Sequence, residues 1–144
     1  MTIREATADD IPRMVEMGLR FNELSEYRER IKAKADVIAA TLSTLVDSPS
    51  ALVLLAERDG RAVGMIGAIA TLHIYSGEPV MSELFWWVEP EYRGIGLRLL
   101  RAAEDWARAN NLTQSVMISP SPEVSALYRR LGYSPLEEQF VKTL

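Results

Sequence analysis

MSELFWWVEPEYRGIGLRLLRAAEDWARAN, residues 81–110, encodes a strand, a short glycine turn and a helix in direct succession. Ser82 to Val88 is apolar, aromatic and β-prone, and Glu83 is the one charge inside it. Pro90 ends any ladder, because proline has no N–H and fixes its own φ. Arg93-Gly94-Ile95-Gly96-Leu97-Arg98 follows. Leu99, Ala103 and Trp106 then recur at i, i+4 and i+7, with Leu100 and Ala107 beside them, which is the stripe of an amphipathic helix. Arg101/Asp105 and Glu104/Arg108 make i, i+4 charge pairs on the other side.

The first N–H groups of a helix have no internal partner and carry the positive end of its dipole. Glycines just before or inside that turn let a ligand approach the backbone, and a pyrophosphate is the natural guest. Arg93 and Arg98 add positive charge at both ends of the turn. The plainer alternative, a tight strand-to-helix turn with no ligand, stays open on glycine spacing alone.

Upstream, Ala51 to Glu57 is an apolar run, and Asp59-Gly60 is a strong hairpin signal. Arg61 to Ile74 is the return strand, where Gly64 and Gly67 suggest a bulge or a close backbone approach. A second turn, Tyr75 to Pro79, leads into the strand with Glu83, so three strands form an antiparallel meander. Nearer the N-terminus, Thr2 to Ala6 reads as a short strand. Ile11, Met14, Val15 and Leu19 form a helical stripe after the capping residues Thr7 to Asp10, and Asp36 to Val46 reads as another helix. Asn22 to Lys34 is strongly charged and is read as either a helical continuation or a loop.

Downstream, Thr113 to Ile118 is a short strand. A helix between two strands implies a right-handed crossover and a parallel pair. Ser121 is the expected N-cap of a last helix with Pro122 at its first position, Val124, Leu127 and Leu131 as its apolar stripe, and Gly132 as its C-terminal cap. Gln139 to Leu144 is expected to be a closing strand.

The 144 residues suggest one domain with room for a sizeable core. A net charge of −4 gives no overall basic footprint, so nucleic acid is not the expected partner. The absence of cysteine removes disulfides, a thiolate nucleophile and thiolate-bound zinc, and a single histidine removes a histidine-rich metal site, so no metal is expected. No apolar run approaches a membrane span and the first residues show no signal-peptide pattern, so no membrane partner and a cytoplasmic setting are the expectation.

The run Val88-x-Pro90-x-Tyr92-Arg93-Gly94-x-Gly96, followed by a leucine-rich helix, resembles the acetyl-CoA-binding signature of the GNAT superfamily of N-acetyltransferases, Q/R-x-x-G-x-G/A. Arg93 fills its first position and Gly96 its fourth, while Arg98 stands where the family prefers Gly or Ala. Ala126 to Tyr133, with Tyr128 inside it, resembles the family's second signature. The likeness runs from the Asp59-Gly60 hairpin to the end of the chain.

The resemblance implies a single N-acetyltransferase domain over residues 1–144. Its fold would be an α/β, mixed, mostly antiparallel sheet of about six or seven strands flanked by helices, splayed around the cofactor. It implies that pantetheine pairs with the backbone of Trp86, Trp87 and Val88 as a missing strand would, and that the pyrophosphate meets Arg93, Gly94, Ile95, Gly96, Leu97 and Arg98. Ser119 and Ser121 stand near the point where the family often has a cofactor-binding Asn. The segment Asn22 to Lys34 would form one wall of the acceptor pocket, and a homodimer through the terminal strand is an analogy with relatives.

Acyl transfer to an amine needs deprotonation of the attacking nitrogen, polarisation of the thioester carbonyl and protonation of the leaving thiolate. By resemblance Tyr128 is the acid, and a phenol near its reference pKa of about 10 carries its proton at neutral pH. Glu83 is the candidate base, directly or through a water, because a carboxylate inside an apolar strand must be paired, solvated or shifted in pKa. An ordinary ion pair for Glu83 is the competing reading. By resemblance the Val88 N–H is the donor to the thioester oxygen. His73 is a rival base, and Tyr27, Tyr75 and Trp87 are candidates for an aromatic acceptor site.

The expected activity is direct transfer of acetyl from acetyl-CoA to a primary amine of a small molecule or peptide, without an acyl-enzyme. The alternative is a catalytically silent acyl-CoA-binding or sensing module. A nucleotide-phosphate binder is disfavoured, since no acidic ribose-binding residue or P-loop lysine sits at the required offset.

Overall fold

The computed structural model describes residues 1–144. In chain order the elements are β1 (Thr2–Glu5), α1 (Ile11–Leu24), α2 (Ala35–Asp47), β2 (Ala51–Arg58), β3 (Arg61–Leu72), β4 (Pro79–Val88), α3 (Gly96–Ala109), β5 (Gln114–Val116) and α4 (Pro122–Arg130). Short 3₁₀ turns at Ala8–Asp10, Glu26–Glu29 and Pro90–Ile95 join them. The charged segment after Asn22 is therefore mixed. The helix runs on to Leu24, and then Ser25 caps a 3₁₀ turn by accepting the Tyr27 N–H.

The strands form one sheet in the order β1-β2-β3-β4-β5. All neighbours are antiparallel except β4 and β5. The Asp59-Gly60 hairpin forms as the sequence predicts, with positive φ at both residues as a two-residue turn of this type requires. The α3 crossover delivers β5 parallel to β4.

Both faces of the sheet are covered, which explains the unbroken apolar run of β2. Val53, Leu55, Met65 and Trp87 pack with Met14 and Met17 of α1 and Leu42 and Leu45 of α2. Leu52, Leu54, Ala56, Ile66 and Met81 pack on the other face with Leu99, Leu100, Ala103 and Ala107 of α3 and Tyr128 of α4.

Two expectations need correction. The sheet has five strands rather than six or seven, and Gln139 to Leu144 is not a strand. No strand edge takes the segment up, and its residues make no ladder with β1 or β5. Leu136 and Phe140 are more than four-fifths exposed.

Candidate active site

The site is built on one irregularity in β4. Simple alternation would put Glu83 on the same face as Phe85 and Trp87. Instead Phe85 pairs with Gly67 and Glu83 with Ala68, so Leu84 is an extra residue, a β-bulge. The bulge turns the first half of the strand over relative to the second. Met81 shares the α3/α4 face with Trp86 and Val88, whereas Phe85 and Trp87 face α1 and α2. Glu83 points with Met81, towards α4. Gly67 lies opposite the bulge, where any Cβ would overlap the Phe85 ring.

Pairing between β4 and β5 covers only Val80↔Gln114, Met81↔Ser115 and Ser82↔Val116. Beyond Ser82, β4 runs on to Val88 with no strand on that side, so the two strands part there. Glu83 spans the start of the gap, its Oε2 accepting the Ile118 N–H at 2.8 Å. The Tyr128 hydroxyl donates to the Ile118 carbonyl at 3.0 Å and lies 3.5 Å from the same Glu83 oxygen. The two candidate catalytic groups thus meet at one peptide unit of the parting strand.

Burial pushes the Glu83 carboxyl up to about 7, against the lowering effect of the Ile118 N–H and the Tyr128 hydroxyl. Burial first, and then the nearby Glu83 charge, push the Tyr128 phenol well above its usual value, so it holds its proton at neutral pH. Tyr128 stacks on Trp86, with ring centroids 6.0 Å apart and planes 23° apart. A cleft of about 1100 Å³ runs from Tyr128 and Ile118 along β5 beneath the C-terminal segment, with Tyr27, Glu137 and Phe140 among its walls.

Trp87 points the other way. It is buried on the α1 side, its ring 5.9 Å from Phe21 in an edge-on contact, and Phe21 in turn lies 5.5 Å from Tyr27. Arg93 lays its guanidinium over the Trp87 ring at 5.0 Å. Two of the three expected acceptor aromatics, Tyr27 and Trp87, are therefore linked, through a Phe21 that the sequence reading did not assign to the site. Tyr75 is not part of this group. It sits beside His73 in the β3–β4 turn, and the His73 Nδ1 accepts the Tyr75 N–H, away from Glu83 and Tyr128.

The turn before α3 offers the donors an anion needs. No side chain caps the helix start. Arg93, Gly94 and Arg98 are exposed, and neither arginine is engaged in an ion pair within 4 Å. A Cβ placed on Gly94 would meet nothing within 4 Å. Gly96, by contrast, is buried, and its Cβ would sit 3.3 Å from Trp86 and 3.5 Å from Val88. Gly94 is the open approach to the backbone, and Gly96 is where α3 packs on β4. Ile95 and Leu97 are half-buried at the same turn. The buried indole N–H groups of Trp86 and Trp87 have no protein acceptor. The exposed backbone at Gly94, with Arg93 and Arg98 beside it, fits a diphosphate. Ser121 caps α4 by accepting the Val124 N–H, so its hydroxyl is already engaged, and Ser119 bonds to Ser125. No cluster of three or more His, Asp or Glu side chains is placed to hold a metal ion, and no helix is long and apolar enough to cross a membrane.

Comparison with known proteins agrees with this geometry. The Acetyltransferase (GNAT) family model matches residues 17–133. An aminoglycoside N(6')-acetyltransferase type 1 from Klebsiella aerogenes is 37% identical over 86 residues, 54% of this chain and 53% of that protein. The aligned region thus spans about half the length of that curated relative. The ribosomal-protein-alanine N-acetyltransferase of Brucella melitensis biovar Abortus 2308 superposes over 100% of both chains with a TM-score of 0.76 at 18% identity. AAC(6')-Iy, solved in complex with the bisubstrate analogue CoA-S-monomethyl-acetylneamine, superposes over 99% of this chain and 97% of its own with a TM-score of 0.78 at 17% identity. The extent of the family match, together with the parted strands and the uncapped α3 turn, establishes that the chain belongs to the GNAT acetyltransferase family.

Proposed function

We propose that the protein is an N-acetyltransferase that passes the acetyl group of acetyl-CoA directly to a primary amine of a small molecule or peptide. The observation that carries this reading is the meeting of Tyr128 and Glu83 at Ile118, where β4 and β5 part. Acetyl-CoA supplies the activated acyl group. Its diphosphate fits the donors at Arg93, Gly94, Ile95, Gly96, Leu97 and Arg98, and its pantetheine arm fits the unpaired edge of β4 around Trp87 and Val88.

The chain's own groups divide the proton work. Glu83, titrating near neutrality, takes a proton from the incoming ammonium, directly or through a water. Tyr128 holds a proton for the departing sulfur. The Val88 N–H is the proposed donor to the acyl oxygen, a role that stabilises the oxyanion as it forms. Ser121 contributes by fixing the start of α4 and hence Tyr128.

The acceptor class draws support from two sides. The related proteins named above act on aminoglycosides and on a protein alanine, all amine acceptors. The net charge of −4 suits a cationic amine. The reading extends to a homodimer, because Leu136, Phe140 and Leu144 expose apolar surface that a second copy would cover.

The test is a screen of primary amines, aminoglycosides and N-terminal peptides among them, for acetyl-CoA-dependent thiol release. Turnover with at least one amine is expected. Tight acetyl-CoA binding with no turnover, unchanged in Tyr128→Phe, would identify a silent acyl-CoA-binding module instead.

A further inference from the structure

Glu89 is the one charged residue that is fully buried, with 3% of its surface exposed. It stands between Val88, the end of β4, and the 3₁₀ turn that leads into α3. Its backbone is fixed at both ends: the N–H donates to Val63 O at 2.9 Å, and the carbonyl accepts the Tyr92 N–H at 2.8 Å. Its side chain is held by α1. Arg13 Nη2 donates to Oε1 at 2.8 Å, and Arg20 Nη1 lies 2.8 Å from Oε2.

Arg13 and Arg20 are seven residues, about two turns, apart and lie on one face of α1. Arg13 is anchored further, its Nε donating to Ala62 O at 3.0 Å and its Nη1 to Glu16 at 2.9 Å. Arg20 is looser: its contact with Oε2 is a charge contact without an aligned hydrogen bond, and it leans towards Glu91 at 3.8 Å.

Stability alone is a weak reason for such a cluster. A buried ion triad costs about as much in desolvation as it returns, and apolar replacements of similar volume are often as stable. α1 is already seated on the sheet by Met14 and Met17, both fully buried. What the triad adds is direction. The next residue of α1, Phe21, touches Trp87, and Arg93 of the turn lies over the other part of that contact, on the Trp87 ring. α1, Trp87, Arg93 and Glu89 therefore close a ring that ties the aromatic wall to the turn before α3.

We propose that Glu89 is a positioning residue, which through Arg13 and Arg20 sets the cofactor turn against α1. It acts on acyl-CoA binding and not on the chemical step. This rests on the reading that acyl-CoA binds at that turn.

The test is acetyl-CoA titration calorimetry and steady-state kinetics on the intact chain, with melting temperature as control. Three variants are compared with wild type: Glu89→Gln, Arg20→Gln, and the apolar triple Arg13→Met/Glu89→Leu/Arg20→Met. Glu89→Gln is expected to weaken acetyl-CoA at least about tenfold, with kcat at saturation within about threefold. The triple variant is expected to keep a wild-type melting temperature and still bind weakly. A Glu89→Gln or triple variant that binds acetyl-CoA like wild type would overturn the proposal, as would an equal fall in kcat. Should Glu89→Gln fail to fold, Arg20→Gln decides. Its side chain is 44% exposed, so it leaves Arg13 to hold the charge, and unchanged affinity there would overturn the proposal. Wild type that does not bind acetyl-CoA at all removes the underlying reading as well, which separates the two failures.

Discussion

Trp86 and Trp87 are neighbours in the chain and belong to different halves of the site. Trp86 faces α3 and α4, stacks on Tyr128 and shares its side of the sheet with Glu83. Trp87 faces α1, meets Phe21 and lies beneath Arg93. One face carries the proposed proton-transfer groups. The other carries an aromatic wall and the proposed clamp on the turn before α3. Ordinary alternation parts the two tryptophans, and the Leu84 bulge upstream brings Glu83, an odd-numbered residue, onto the even-numbered side with Trp86. A sheet can thus divide chemistry from recognition within a few residues, provided one residue breaks its alternation.

Exchanging the two residues at the bulge, Glu83→Leu/Leu84→Glu, attacks that division directly and has the largest expected effect. It moves the carboxylate from the position that meets Ile118 and Tyr128 to the exposed bulge position. Acetyl transfer should fall below detection while far-UV circular dichroism stays near wild type. Next comes Tyr128→Phe, which keeps the stacking surface for Trp86 and removes only the hydroxyl. Loss of a positioned acid should lower kcat by about 100-fold or more, with little change in acetyl-CoA affinity.

The two glycines of the turn sharpen the comparison further. Gly94→Trp projects into open space, so it should weaken acetyl-CoA by about tenfold or more and leave the melting temperature almost unchanged. Gly96→Ala presses on Trp86 at 3.3 Å, so it should cost about 1 kcal/mol of stability instead. The reverse pattern in calorimetry and thermal melts would mean that the ligand approaches over Gly96.

The smallest effect is on stability against pH. The folded-state pKa of Glu83 is raised from 4.5 to about 7, so the folded protein binds this proton more tightly than the unfolded chain does. The stabilisation is full below pH 4.5 and is lost as pH rises towards about 7. Replacement by Gln should flatten that part of the melting-temperature profile.

Much of the frame was readable from the chain because its signals are local. The Asp59-Gly60 hairpin, the α3 stripe from Leu99 to Trp106 and the Ser121-Pro122 start of α4 each depend on residues within a few positions of one another, and each forms as expected. Glu83 and Tyr128 stood out as candidates, but their meeting point did not, because Ile118 contributes only backbone groups that no side-chain pattern marks. Gly67 signalled a bulge or a close backbone approach, but not that the extra residue is Leu84, because that residue is on another strand. The sequence reading assigned Glu89 no role, since its hydrogen-bond partner Arg13 is 76 residues away in sequence. The terminal segment failed as a strand for the opposite reason. Its composition is β-prone in places, but no sheet edge takes it up.

The central claim is that Glu83 and Tyr128 share the proton work of acetyl transfer on the α4 side of β4. Its most direct test is the pH profile of kcat/KM, with one accepted amine, for wild type and Glu83→Gln. The Gln side chain can still accept the Ile118 N–H, so the site stays assembled. Wild-type activity should rise with pH through a limb near 7, as Glu83 ionises. In Glu83→Gln that limb should vanish and the plateau should drop by about 10- to 100-fold. A mutant profile that keeps the wild-type limb and plateau would show that Glu83 only bridges the parted strands, and the account of the chemistry would fail.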